Sequence, residues 1–261
     1  MEPIPNAYFL ISPAPAWGWF FAQLLIAAFV FWGEGTDRFH LAYSKFRSKA
    51  GGISTRAGML IIYGLPLLVV LLGYNAVQRP DTPYHIVLFL ALAIHFGKRC
   101  LEVIFVHRYS RPMGIPTALL IAVLYSHVAM AAHVGQNIEV SRLMGDSLPL
   151  LPLILGGLIF LAGQAGNLYH HLLLRNLRRP GESGYVIPRG GLFGAVTAPH
   201  YLFEIIAWIG YAVMARNLGL WGITFIIAGY LAGRAKQTRE WYLKSVPGYP
   251  EERKALIPGV W

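Results

Sequence analysis

LPLLPLILGGLIFLAGQAGNLYHHLLLRNLRR, residues 148–179, changes character along its length. From Leu148 to Gly163 no side chain is polar or charged. The whole apolar run, 147–173, exceeds the roughly 20 residues that a helix needs to cross a hydrocarbon core. Polar groups then enter in register. Asn167, His171, Arg175 and Arg178 stand at offsets of 4, 8 and 11, one continuous stripe on a helix. The segment therefore reads as a spanning helix with a polar stripe that ends in arginines at the water boundary.

Working outward, six further apolar runs appear, at about 11–33, 58–78, 84–106, 114–134, 196–215 and 217–233. Composition agrees with a bilayer as the solvent. Of the 261 residues, 56% are hydrophobic and 13% are charged, whereas a soluble domain carries about 25% charge. Cys100 is the single cysteine, which excludes a disulfide scaffold. The apolar content excludes a disordered chain. Met1–Pro15 has no basic n-region, so the first run is expected to stay as a helix.

Basic residues test the seven runs independently. If all seven span, all but three of the 22 Lys and Arg residues fall on one side. Only Arg79, Arg142 and Arg216 fall on the other. The positive-inside rule then puts the N-terminus outside and the C-terminus in the cytoplasm. The net charge of +10 marks cytoplasmic loops rather than nucleic acid. The expected fold is an all-α integral membrane protein, one multi-pass domain of seven transmembrane helices over residues 1–261.

Ionisable residues inside spans are functional candidates by default. The third run carries His95, Arg99 and Glu102 on one face, and Lys98 can pair with Glu102 one turn on. The sixth carries His200 and Glu204 one turn apart, with Tyr201 between them. The cations of the 167–178 stripe suit phosphates, which guanidinium groups hold in bidentate fashion. No G-x-G-x-x-G follows a strand, no P-loop is present, and H-E-x-x-H is missing. The pair His170-His171 lacks the histidine clusters of a membrane di-iron site, so no metal is expected.

From Asn167 to the end of the chain, the sequence resembles the steroid 5α-reductase family. The residues that carry the likeness are Leu174-Arg175-Asn176-Leu177-Arg178-Arg179-Pro180-Gly181-Glu182, Gly184-Tyr185-Val186-Ile187-Pro188-Arg189-Gly190-Gly191-Leu192-Phe193, Glu204-Ile205, Trp208, Gly210-Tyr211-Ala212, Gly233-Arg234-Ala235-Lys236, Glu240-Trp241-Tyr242-Leu243-Lys244 and Arg253-Lys254-Ala255-Leu256-Ile257-Pro258. The resemblance implies a membrane reductase that uses NADPH. Its cofactor would be held by the C-terminal half, 147–261, and its substrate mainly by 1–134. It implies cofactor contacts at Asn167, Arg178, Tyr185, Glu204, Arg234 and Tyr242. His171 and His200 stand where the family has Asp and Asn, and both keep hydrogen-bonding capacity. Arg175 joins this set from the stripe. The cofactor site would face the cytoplasm, and a monomer is expected.

The substrate half is a hybrid. Steroid reductases carry Gln-Glu-Leu-Pro in the second helix and His-Tyr in the third, where the Glu and Tyr grip the 3-ketone. Here these stretches read Tyr63-Gly64-Leu65-Pro66 and His95-Phe96. The run from His95 to Glu102, followed by Phe105-Val106-His107-Arg108, is instead similar to very-long-chain trans-2-enoyl-CoA reductases. That branch uses a Lys and a Tyr at the positions of Lys98 and Tyr201. Both branches send a hydride to the β-carbon of an enone or enoyl thioester, and charge develops on the carbonyl oxygen. Three catalytic candidates follow: Tyr201 assisted by Lys98, since a nearby cation favours phenolate, and Tyr63 as a second donor. A hydrophobic steroid or lipid would enter from the bilayer, among the membrane lipids. The substrate alternatives are a 3-oxo-4-ene steroid or related enone and a trans-2-enoyl-CoA. Two more distant readings are an isoprenylcysteine or phospholipid methyltransferase and a seven-span transporter or receptor. The methyltransferase motif Arg-His-Pro-x-Tyr is incomplete at Ala198-Pro199-His200-Tyr201, and a transporter has no need of the Asn/His/Arg stripe together with Glu204.

Overall fold

The structure, a computed structural model, describes residues 14–36, 52–76, 83–109, 112–130, 149–177 and 186–261. Among these residues the chain forms seven long α-helices and no sheet. They are α1 (Ala14–Glu34), α2 (Thr55–Ala76), α3 (Pro83–Phe105), α4 (Ile115–Met130), α5 (Leu150–Asn176), α6 (Pro199–Ala215) and α7 (Leu218–Ser245). Four of them, α1, α2, α5 and α7, are long and apolar enough to cross a membrane. α4 and α6 are shorter, with 16 and 17 residues, and α3 carries Lys98, Arg99 and Glu102 in its last turns.

The helices turn large apolar side chains outward. Leu25 is 74% exposed, Leu72 67%, Phe29 62% and Leu158 61%. Apolar surface this continuous is not stable against water, and lipid satisfies it. The polar side chains point inward instead: Arg99, Glu102, Asn167, His171, Glu204 and Arg234 are all buried.

Because lipid gives helices no hydrophobic reason to associate, close backbone packing holds them. α5 and α6 form the tightest seam. A Cβ on Gly156 would lie 2.6 Å from the Gly210 carbonyl, and one on Gly166 would run into the Phe203 ring. α1 and α7 make a second seam through Gly222, Gly229 and Gly233, which lie against Gln23, Ala27 and Phe31. Gln23 also donates to the Gly219 carbonyl at 3.1 Å. At the far end, the Tyr84 hydroxyl of α3 donates to the carbonyls of Ala215 at 2.9 Å and Met214 at 3.2 Å. These are among the last carbonyls of α6, which have no partner within their own helix.

Two expected boundaries move. The sixth run, taken as 196–215, becomes helical only at Pro199, which starts the helix because it has no N–H to satisfy. Val196–Ala198 pair with the tail instead: Thr197 N–H donates to Lys254 at 2.8 Å and Ala198 N–H to Ala255 at 3.1 Å. The seventh run, taken to end at 233, continues as helix to Ser245. Its last turns carry Arg234, Lys236, Arg239 and Lys244, beyond the end of the apolar run. For the fourth run, 131–134 lie outside the described residues.

Candidate active site

One end of the bundle opens into a cavity of about 300 Å³, at the small end of ligand-binding pockets. Six of the seven helices reach its wall. Tyr63 comes from α2, Arg99 from α3, Tyr125 from α4, His171 and Arg175 from α5, His200, Tyr201 and Glu204 from α6, and Arg234 and Tyr242 from α7. The first turn of α2, the last turns of α5 and α7 and the start of α6 all meet here. Alternating up and down helices bring together the ends that carry the basic residues.

A buried polar network backs the wall. Glu102 is its hub. It accepts from Lys98 at 2.8 Å and from Arg99 at 2.5 Å, and the His171 Nδ1 lies 3.1 Å away. The same His171 nitrogen is 3.1 Å from Arg99. One ring nitrogen can donate to the carboxylate or accept from the guanidinium, but not both. Arg99 also donates to the Tyr63 hydroxyl at 2.7 Å and lies over that ring, 4.6 Å from its centre. Lys98 donates to the Asn167 side-chain oxygen at 2.6 Å, and the Asn167 amide donates to the His200 carbonyl at 2.8 Å. A buried carboxylate between two cations is the arrangement that makes burial of all three tolerable.

Beside the network, His107 and Tyr109 follow the end of α3 and bond each other at 2.9 Å. Burial, with His171 and Arg99 nearby, holds His107 well below the ordinary imidazole value. Burial likewise pushes the Tyr109 phenol up. Glu102, His107 and His171 bring ligand atoms within 4.8 Å of one another. The cation already facing two of them is Arg99, and Lys98 adds a second positive charge. Those charges oppose a divalent ion at that spot.

A loop held from two directions forms the cavity's rim. Gly190 and Gly191 have φ of 88° and 51°, a left-handed backbone that favours glycine. A Cβ at Gly191 would also come within 2.7 Å of His170. His170 accepts from the Leu192 N–H at 3.1 Å while its Nδ1 donates to the Gly166 carbonyl at 2.7 Å, which fixes the tautomer. On the other side Arg253 donates to the Pro188 carbonyl at 2.9 Å. Thr197 and Tyr249 share a hydroxyl bond at 2.7 Å, and Tyr249 stacks on Tyr242.

The residues singled out from sequence divide three ways. Tyr63, His171, Arg175, His200, Tyr201, Glu204, Arg234 and Tyr242 line the cavity. Lys98 and Asn167 stand behind its wall, and the link from Lys98 towards Tyr201 runs through Asn167 and the His200 carbonyl. Arg178 and Tyr185 lie outside the described residues. Arg234, matched to a cofactor contact, is also bonded at 2.6 Å to Glu34 on α1. Sequence reasoning left Arg99, Glu102 and Glu34 off the list of site residues. The i, i+3 and i, i+4 pairing of α3 was visible in the sequence. The reach of Arg99 to Tyr63 was not.

Residues 117–261, more than half of the chain, match the family described as 3-oxo-5-alpha-steroid 4-dehydrogenase. The chain is 34% identical over 225 residues to 3-oxo-5-alpha-steroid 4-dehydrogenase 1 of Macaca fascicularis, covering 84% of each protein. It is 35% identical over 203 residues to the Homo sapiens protein of that name, covering 76% of this chain and 77% of the other. It is also 31% identical over 214 residues to the Caenorhabditis elegans protein named "Probable very-long-chain enoyl-CoA reductase art-1", covering 78% of this chain and 68% of the other. The chain belongs to the 3-oxo-5-alpha-steroid 4-dehydrogenase family.

Proposed function

We propose that this protein is an NADPH-dependent reductase of a carbon–carbon double bond conjugated to a carbonyl, in a hydrophobic substrate of the 3-oxo-4-ene steroid type. The observation that carries this reading is the cavity itself: cationic and hydrogen-bonding on the walls from α3, α5 and α7, with apolar side chains on α2 and α4. Arg99, Arg108, Arg175 and Arg234 line it, and Glu204 is the single carboxylate among its described lining residues. Arg99 and Arg234 are already paired with Glu102 and Glu34, so Arg108 and Arg175 carry the positive excess, which suits a ligand with phosphate charges. Met59, Ile62 and Ile121 also line it and suit a lipid skeleton.

Bound NADPH would supply the hydride. Arg175, Arg178 and Arg234 would hold its phosphates, and His171, Tyr185, His200, Glu204 and Tyr242 its remaining polar edges. Asn167 acts in this scheme by fixing the His200 backbone and Lys98. The two phenols on the wall, Tyr63 and Tyr201, are the candidate donors to the substrate carbonyl, with Lys98 behind Tyr201.

All seven helices are taken to span the bilayer, with the cavity at the cytoplasmic end. The gathering of the basic helix ends around one cavity supports this orientation. The substrate then enters from the bilayer and the cofactor from water.

A second reading, reduction of a trans-2-enoyl thioester, has its own support. Phe96 and Gly64 stand where the steroid-gripping Tyr and Glu are expected, and the likeness to the enoyl-CoA reductase spans both halves of the chain. The test is NADPH oxidation by purified protein in detergent or nanodiscs, against 3-oxo-4-ene steroids and trans-2-enoyl-CoA esters. Turnover of the steroids with inert thioesters is the expected result. The reverse establishes the second reading, and inertness of both with no NADPH binding overturns the proposal.

A further inference from the structure

We infer that Tyr63, positioned and polarised by Arg99, is the group that binds the substrate's carbonyl oxygen, in place of the missing Glu and Tyr. The inference rests on the reductase reading and assigns one role within it. Four observations carry it. Tyr63 is on the cavity wall. Its hydroxyl accepts a hydrogen bond from Arg99 at 2.7 Å, and the guanidinium also lies over its ring at 4.6 Å. Arg99 is itself fixed from behind by Glu102. Phe96, the residue at the position of the family's Tyr, is fully buried against Tyr125 and Trp208 and is not on the wall.

The other phenol is built differently. The cation expected to assist Tyr201 is Lys98, and Lys98 is held by Glu102 and Asn167 behind the wall. Of the two phenol–cation pairs, the one in direct contact is Tyr63 with Arg99.

The chemistry follows from this arrangement. Bound reduced nicotinamide would supply the hydride with its two electrons for the new C–H bond at the β-carbon. The π pair of the double bond moves to the α-carbon and carbonyl, so negative charge grows on oxygen. A phenol that already accepts from a guanidinium is a stronger donor through its own proton, because cooperative hydrogen bonds polarise one another. Arg99 also adds a positive charge behind that oxygen. The charge would collapse when a proton taken up from the aqueous solvent bonds to the α-carbon, leaving the nicotinamide oxidised. Tyr63 is thus a catalytic residue, and Arg99 a positioning residue that acts through it.

The experiment measures kcat, substrate KM and NADPH Kd, with whichever steroid or enoyl ester the wild type turns over. It compares Tyr63→Phe, Tyr201→Phe, Arg99→Gln and the double variant Tyr63→Phe/Arg99→Gln. Loss of an oxyanion donor lowers turnover by about a hundredfold or more. The expected result is that loss in Tyr63→Phe, with NADPH Kd within about threefold, and a clearly smaller loss of kcat in Tyr201→Phe than in Tyr63→Phe. The double variant should be no slower than the slower single variant, since residues acting as one unit are non-additive. Wild-type turnover in Tyr63→Phe, or multiplying losses in the double variant, overturns the assignment alone. A wild type that neither binds NADPH nor reduces any of these compounds overturns the reductase reading, and this assignment with it.

Discussion

The two ends of the bundle use buried polar groups in opposite ways. At the far end, Tyr84 spends its hydroxyl on the carbonyls of Ala215 and Met214, and α5 lies against α6 with no space for a Cβ at Gly156. Polar atoms there close the structure. At the other end, Arg99, Glu102, Lys98, Asn167 and His171 hold one another behind a cavity. The difference shows where this chain can afford chemistry. A charge network is tolerated in a lipid-facing fold when every member has a partner, and the helices must spread to make room for it. The closed seams supply the rigidity that such spreading loses.

Breaking the hub of the open end should have the largest effect. Glu102→Ala removes the carboxylate that Lys98, Arg99 and His171 share, leaving two cations buried against each other. Breaking a buried pair costs roughly 3–5 kcal/mol. The expected outcome is a large fall in thermal midpoint in detergent, with NADPH binding lost. Retained stability would mean that water reaches this network freely.

Arg234→Ala should come next, and it sharpens the contrast between holding and binding. It removes a cavity cation and leaves Glu34 without its 2.6 Å partner. One charge-assisted bond is worth about 1.5–3 kcal/mol, so titration should show NADPH affinity weakened about tenfold or more. Unchanged affinity would confine Arg234 to tying α1 to α7.

The closed end should respond in stability and not in chemistry. Gly210→Ala forces a Cβ to within 2.6 Å of the Gly156 carbonyl. Overpacking of this kind costs about 1–3 kcal/mol. Thermal unfolding should register it, while kcat of the folded fraction stays within about twofold. A fall in kcat larger than the fall in stability would show that the seam transmits to the site.

The smallest expected effect is Tyr84→Phe. It removes one hydroxyl from the two carbonyls that end α6, and a single neutral hydrogen bond contributes about 0.5–1.5 kcal/mol. A slight loss of thermal stability with unaltered NADPH affinity is the expected result. Altered affinity would break the separation between the two ends.

Much of this was legible in the chain. Among the described residues the seven apolar runs correspond to seven helices, four of them long and apolar enough to cross a membrane, because an apolar segment must satisfy its backbone bonds internally where water is absent. The helical stripe from Asn167 to Arg175 and the Lys98–Glu102 pair were readable because spacing along one helix fixes which side chains meet. Helix ends were less legible. Val196–Ala198 read as the start of the sixth helix, yet Thr197 and Ala198 pair with Lys254 and Ala255 instead and stay outside it. The last turns of α7 are too charged for a hydropathy rule, yet they are helical because one face packs over the cavity.

The sequence by itself determined the solvent, the helical class, the gathering of positive charge and the likeness to a reductase family. Each of these depends on composition or on spacing within a segment. Only the tertiary structure decided which phenol faces which cation. Tyr63 and Arg99 stand 36 residues apart, and Glu34 and Arg234 stand 200 apart. Nothing in local periodicity couples residues on different helices. Their meeting depends on the rotation and depth of each helix in the bundle, which are set by the close glycine seams and by the need to pair every buried charge.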